Sequence, residues 1–145
     1  YSYNDGQLYL HNQYDRQCYF YDTQYTAKIM FVSNVGAGLP KVYNNITAQS
    51  NLVPTFVYFY NDYPIQQSSD LVDFSFRNIE GNFVANILRN KLVPTAGGYT
   101  TDGLLTGEVM RNQAMWIMFE WRVGNTPLQL QFVNIGYAIS RGIPV

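Results

Sequence analysis

Apolar residues recur at every second position along most of this chain, and helical spacing is nearly absent. Successive side chains on a strand point to opposite faces of a sheet, so this pattern predicts strands from end to end. Val72, Phe74 and Phe76 alternate with Asp73, Ser75 and Arg77, and Leu128, Leu130 and Phe132 alternate with Gln129 and Gln131. Both segments are expected to be half-buried strands with one wet face. Ile29 to Val32, Phe56 to Tyr60 and Met115 to Trp121 are apolar on both sides, with only Glu120 interrupting the last. Those should be central strands, or strands covered on both faces. Gly107 to Trp121 suits a helix about as well by its Met and Trp content, and its aromatic second half decides for strand.

Asp5-Gly6, Glu80-Gly81-Asn82, Asp102-Gly103 and Gly124-Asn125 offer the positive φ of tight hairpin turns. Looser loops are expected at Val35 to Pro40 and at Tyr60 to Ser69. The strands are placed at Gln7 to His11, Gln17 to Asp22, Lys28 to Ser33, Val42 to Gln49, Thr55 to Asn61, Leu71 to Asn78, Asn82 to Ile87, Gln113 to Trp121 and Gln129 to Ile139. The expected fold is all-β: an antiparallel β-sandwich, or a similarly closed domain of about eight or nine strands.

At 145 residues with 47% hydrophobic and 17% aromatic side chains, the chain suffices for one core, so residues 1–145 are read as a single domain. Charged residues are only 13%, well under the roughly 25% of ordinary soluble domains. A net charge of -1 supplies no field to gather phosphate backbones or anionic lipid, which removes most nucleic-acid and membrane-surface roles. The longest apolar runs fall far short of the ~20 residues that span a bilayer. The first residue is Tyr1 and nothing after it has the form of a signal peptide, so the chain reads as a piece of a longer protein.

Residues that could carry chemistry are few. Cys18 is the sole cysteine and, beside Tyr19 and Phe20, reads as a buried, inert thiol. His11 is the sole histidine, without partners at metal-ligand spacing, and reads as a hydrogen-bonded residue at a strand end. The pairs Asp70/Asp73 and Asp15/Asp22 would need to face each other across a cleft at ~5 to 9.5 Å for glycoside hydrolysis, and scattered acids on strands are ordinarily solvated. Val35-Gly36-Ala37-Gly38 has no helix after it to hold phosphate, since Pro40 and Lys41-Val42-Tyr43 follow. No calcium-loop pattern occurs. Asn45-Ile46-Thr47 is a formal glycosylation sequon that an Asn-rich chain produces by chance. No catalytic residue, metal or cofactor is therefore expected. Tyr19, Tyr21, Tyr58, Tyr60, Tyr63 and Tyr99 could form a platform for stacking sugars, with core and subunit packing as the plainer explanation.

Two series of words carry a resemblance. The first is Asp5-Gly6-Gln7-Leu8-Tyr9-Leu10-His11-Asn12, Phe20-Tyr21, Ile29-Met30-Phe31-Val32 and Lys41-Val42-Tyr43-Asn44-Asn45-Ile46. The second is Phe76-Arg77-Asn78, Gly81-Asn82-Phe83, Ile87, Arg89, Gly107 and Phe132-Val133-Asn134-Ile135-Gly136-Tyr137-Ala138-Ile139-Ser140-Arg141. In order and spacing the chain resembles the C-terminal part of the tail stabilisation, or muzzle, protein of crAss-like bacteriophages. It departs at Gly107-Glu108-Val109-Met110, where a basic and then an aromatic residue would follow the glycine. The resemblance implies a C-terminal β domain of a virion protein without enzymatic activity or cofactor. It would sit at the tail muzzle or hub of a short-tailed phage and be assembled in the bacterial host cytoplasm. Its partners would be other copies in a tail ring and further tail or portal proteins. DNA would pass through the channel without specific binding, and no part would insert in a membrane. Tyr63, Tyr99, Trp121 and Arg122, near predicted loops or strand ends, are the candidate interface residues. The alternative is a carbohydrate- or host-surface-binding β-sandwich module.

Overall fold

The computed structural model describes residues 1–10, 18–62, 66–100 and 107–140. In chain order the first strands are β1 (Ser2–Asn4), β2 (Gln7–Tyr9), β3 (Tyr19–Phe20), β4 (Thr23–Gln24), β5 (Ala27–Ser33) and β6 (Lys41–Ser50). Then come β7 (Phe56–Asn61), β8 (Gln67–Val72), β9 (Arg77–Ile79), β10 (Asn82–Asn86), β11 (Val93–Thr95) and β12 (Gly98–Thr100). The last are β13 (Arg111–Asn112), β14 (Met115–Trp121) and β15 (Leu130–Ile139). Among the described residues there is no α-helix, and Gly107 to Trp121 yields strands, as its β-favouring second half predicts.

Two antiparallel sheets pack face to face. The front sheet runs β5-β14-β7-β8. In the back sheet β6 is central, with β15 on one side and β13 and β10 on the other, and β9 lies beyond β10. These four and five strands are the sandwich the alternation predicts, and three two-stranded ribbons, β1-β2, β3-β4 and β11-β12, accompany it. Asp5-Gly6 and Glu80-Gly81 make the expected hairpin turns with φ of 49° and 76°, and 50° and 84°. Gly124-Asn125 does not, because the chain there crosses from the front sheet to the back. Asp102-Gly103 and His11 lie outside the described residues. Tyr21-Asp22 closes β3-β4 with φ of 49° and 58° and no glycine, which hides that turn from a sequence reading.

The core lies between the sheets. Met115, Ile117, Phe119 and Trp121 of β14 face inward with at most 1% exposure, against Val57 and Phe59 of β7, Leu71 of β8, and Tyr43, Ile46 and Ala48 of β6. Each such large side chain contributes roughly 1.5–3 kcal/mol by leaving water. The Phe119 ring stacks between those of Phe31 and Trp121, at 6.2 and 5.2 Å. Cys18 is half-buried at the margin of this cluster and bears no disulfide.

Two bulges reset the back sheet. Gly136 opposes Asn45 but Tyr137 opposes Tyr43, so Asn44 is an extra residue, and Ile46, Ala48 and Ser50 share the inner face with Lys41 and Tyr43. Gln131 is extra between Leu130, opposite Ser50, and Phe132, opposite Gln49. That bulge turns Phe132 outward, 46% exposed, so Leu128, Leu130 and Phe132 do not form the single apolar face expected of them.

The expected strand Leu71 to Asn78 is also broken, by a 3₁₀ turn at Asp73–Ser75 that carries the chain between sheets. Asp73 Oδ1 accepts from Phe74 N at 2.8 Å and Ser75 Oγ from Val72 N at 3.3 Å. These local bonds outcompete a ladder, leaving Phe74 87% exposed while Phe76 is buried. Conversely β8 extends into the expected loop. Gln67 and Ser69 can be buried there because Gln67 Nε2 donates to Val109 O at 3.1 Å and Ser69 Oγ to Leu88 O at 3.0 Å.

Lys41 occupies the inner end of β6 with only 1% exposure. Its ammonium donates to the carbonyl oxygens of Leu39 at 2.9 Å, Gly36 at 3.2 Å and Gln113. Burial holds its pKa below the usual 10.5.

Candidate interaction surface

Outer faces of the two sheets differ in chemistry. On the back sheet, Asn45, Thr47 and Gln49 of β6, Asn86 of β10 and Asn134 of β15 point away from the core and meet water. This mostly polar face, which also carries the outward Phe132, is what an antiparallel sheet ordinarily presents. On the front sheet the outward set of β5, β14 and β7 is largely apolar as well, whereas that of β8 carries Ser68 and Asp70. Register places Trp116 between Val32 and Tyr60, and Met118 between Met30 and Tyr58. Met30 is 63% exposed, Trp116 45% and Val32 41%, so strands apolar on both sides are buried on one face only. Met30, Tyr58, Tyr60, Asp62, Trp116 and Met118 line a shallow depression of about 410 Å³.

The rim is charged and largely neutralised within the chain. Lys28 Nζ lies 3.4 Å from Glu120 Oε2, directly across the β5–β14 pair, and Lys91 Nζ lies 2.5 Å from Asp70 Oδ2 beside Tyr58. These two pairs cancel, and Asp62 adds a single carboxylate at the edge of the depression. Its capacity is contact: rigid aromatic and Met surface held flat by a central strand.

The sequence-predicted interface residues are not gathered here. Trp121 faces the interior and its indole Nε1 donates to Leu52 O at 3.2 Å, so within one chain it is core and offers no outer surface. Arg122 is exposed, and its backbone N–H donates to Thr55 Oγ1 at 2.9 Å. Tyr99 belongs to β12 opposite Pro94, and Tyr63 lies outside the described residues. Trp116, Met30 and Met118 sit mid-strand, away from the loops and strand ends on which those candidates lie, so nearness to a loop does not find this surface. The usable signal was Met115 to Trp121 itself, where one of the two alternating sets had to face away from the core. Asp70 is paired with Lys91 and Asp73 caps its own turn, so these acids make no facing carboxylate pair. Among the described residues no group of three or more His, Cys, Asp or Glu could hold a metal ion, and no helix is long and apolar enough to cross a membrane.

A family model described as the Crassvirus muzzle protein C-terminal domain matches residues 16–90. The chain belongs to this family. The matched segment contains β5 and β6, the hairpin β9-β10, and both β7 and β8. No curated protein matches the chain. It is thus a muzzle domain of a crAss-like phage, a structural component of the virion.

Proposed function

We propose that this domain works by shape and contact within the tail muzzle of a short-tailed phage, joining copies of itself in a tail ring and to other tail or portal proteins around the DNA exit channel. The observation that carries this reading is the apolar outer face of the front sheet around Trp116, Met30 and Tyr60. An exposed apolar patch rimmed by charge marks a protein–protein contact. With a net charge of -1 the domain would let DNA pass without gripping it. The domain takes no cofactor and performs no catalysis, and it enters the virion after assembly in the host cytoplasm.

Electron microscopy of the full-length muzzle protein and of intact particles tests this. Rings in solution and density at the tail are expected, and their loss in a Trp116→Ser variant that still folds. Absence of rings together with a location outside the tail would sink the proposal.

A second reading, a glycan platform, draws on Trp116, Tyr58 and Tyr60 beside Asp62. Sugars need polar side chains around a stacking ring, whereas Met30, Met118 and Val32 surround this one. Saturable binding on a glycan array, abolished by Trp116→Ala, would favour that reading instead.

A further inference from the structure

One charge on the outer face of the front sheet is left unanswered by its own chain. Lys28 pairs with Glu120 and Lys91 with Asp70, whereas Asp62 has no ion-pair partner among the described residues. Along β7 the buried Val57, Phe59 and Asn61 alternate with Tyr58, the exposed Tyr60 and then the exposed Asp62. Asp62 thus continues the outward set, and its carboxylate stands at one end of the depression lined by Met30, Tyr58, Tyr60, Trp116 and Met118.

That position sets a condition on whatever covers the face. Enclosing a carboxylate without a counter-charge costs more than burying one aromatic or Met side chain returns. An uncharged apolar partner laid over Trp116 and Tyr60 therefore loses at Asp62 what it gains beside it. A partner that brings a cation to Asp62 does not. The walls then select the cation. A guanidinium is more weakly hydrated than an ammonium, forks onto a carboxylate and stacks on aromatic rings, and Trp116 and Tyr60, opposite each other in register, are 45% and 38% exposed. Alternate residues of a strand lie roughly 7 Å apart, so the Met118–Tyr58 pair, the Trp116–Tyr60 pair and Asp62 form three successive steps along the sheet. A side chain rooted above the first step must be long to reach the third, and its stem crosses polarisable Met and aromatic surface.

We propose that this depression receives an arginine of a partner protein, its guanidinium on Asp62 and against Trp116 and Tyr60, its stem along Met118. Uncharged apolar residues on either side of that arginine cover Met30 and Val32. The inference rests on the reading of this face as a protein contact and adds the chemistry of what it contacts.

The test uses the full-length muzzle protein, alone and in intact particles. Tyr58→p-benzoylphenylalanine places a photoreactive ring in the depression, and illumination should join it to a segment holding an arginine within two residues of the attachment point. In sedimentation velocity Asp62→Asn should weaken association with that partner ~10- to 100-fold, the size of one charge-assisted hydrogen bond. Asp62→Arg should abolish it, and changing the crosslinked arginine to Asp should restore it. Glu80→Gln, which removes an equally exposed carboxylate from the β9-β10 turn, should leave association unchanged. Far-ultraviolet circular dichroism checks that each variant is folded. Wild-type association in Asp62→Asn, a crosslinked segment without arginine, no crosslink, or a swapped pair that fails to recover would overturn the inference. Should Trp116→Ser still abolish assembly in that event, the muzzle contact stands without its arginine; should Trp116→Ser and Asp62→Asn both assemble as wild type, the contact reading of this face falls as well.

Discussion

Lys41 is a buried cation with no carboxylate among its hydrogen-bond partners, and two opposite outcomes follow from general physics when it is replaced by Met. Enclosing an ammonium costs several kcal/mol, so an apolar residue of the same shape could stabilise the fold. Against this stand the three carbonyl oxygens it leaves behind. Gly36 O keeps a bond from Leu39 N at 3.2 Å, and Gln113 O keeps a long one from the Tyr43 hydroxyl at 3.4 Å. Among the described residues Leu39 O has no such second donor. One orphaned acceptor at ~1–3 kcal/mol plus two weakened ones puts Lys41→Met at about 2–4 kcal/mol of destabilisation. With m of about 2 kcal/mol/M in urea, the midpoint should fall by about 1–2 M at unchanged slope. Urea titration followed by tryptophan fluorescence measures this, with Lys41→Gln, which keeps a donor, falling in between.

The proton supplies an independent check. Because burial lowers the folded-state pKa, the unfolded chain holds the proton more tightly between that value and 10.5. Lys41 therefore makes stability rise with pH through that window, and the rise should vanish in Lys41→Met. A Met variant as stable as wild type, or one with the same alkaline rise, would refute the reasoning.

Three further outcomes are expected. Tyr43 titrates with the opposite sign: burial raises its pKa above 10.0, so its share of stability is complete below pH 10 and is lost as pH climbs through the folded value. Tyr43→Phe should abolish that loss and remove one late phenolate from the absorbance titration near 295 nm. Phe119→Ala, with 0% exposure between Phe31 and Trp121, should cost ~3–5 kcal/mol in urea melts, whereas Phe74→Ala at 87% exposure should cost under ~0.5 kcal/mol; similar losses would restore the unbroken strand. Gly136 has no positive φ, but a Cβ there would lie 2.8 Å from Asn45 Cγ. Gly136→Ala should destabilise by ~1 kcal/mol alone and stabilise by ~0.4–1 kcal/mol in an Asn45→Ala background, and equal effects in both would dismiss the clash.

Much of this fold was legible because alternation reports facing directly. The segments Lys28 to Ser33, Val42 to Gln49, Thr55 to Asn61 and Gln129 to Ile139 lie within a residue or so of β5, β6, β7 and β15. Reading failed where a local bond or an inserted residue changes facing without changing apolarity. Asp73 and Ser75 end a ladder through side-chain oxygens, and Gln131 turns Phe132 to the solvent side of its sheet. Gln67 to Asp70 look like a loop because their burial depends on Val109, Leu88 and Lys91, 19 to 42 residues away in sequence. The interaction surface was half legible: Tyr58 and Tyr60 were among the exposed-aromatic candidates, but only the pairing of β14 with β5 and β7 brings Trp116, Met30 and Met118 to them.

The stretch from Arg111 to Trp121 runs through both layers, laddered to β6 as β13 and then to β5 and β7 as β14. Sliding one layer over the other would pull this single segment out of two ladders at once. A load applied to either layer is thus borne along covalent backbone as well as across side-chain packing.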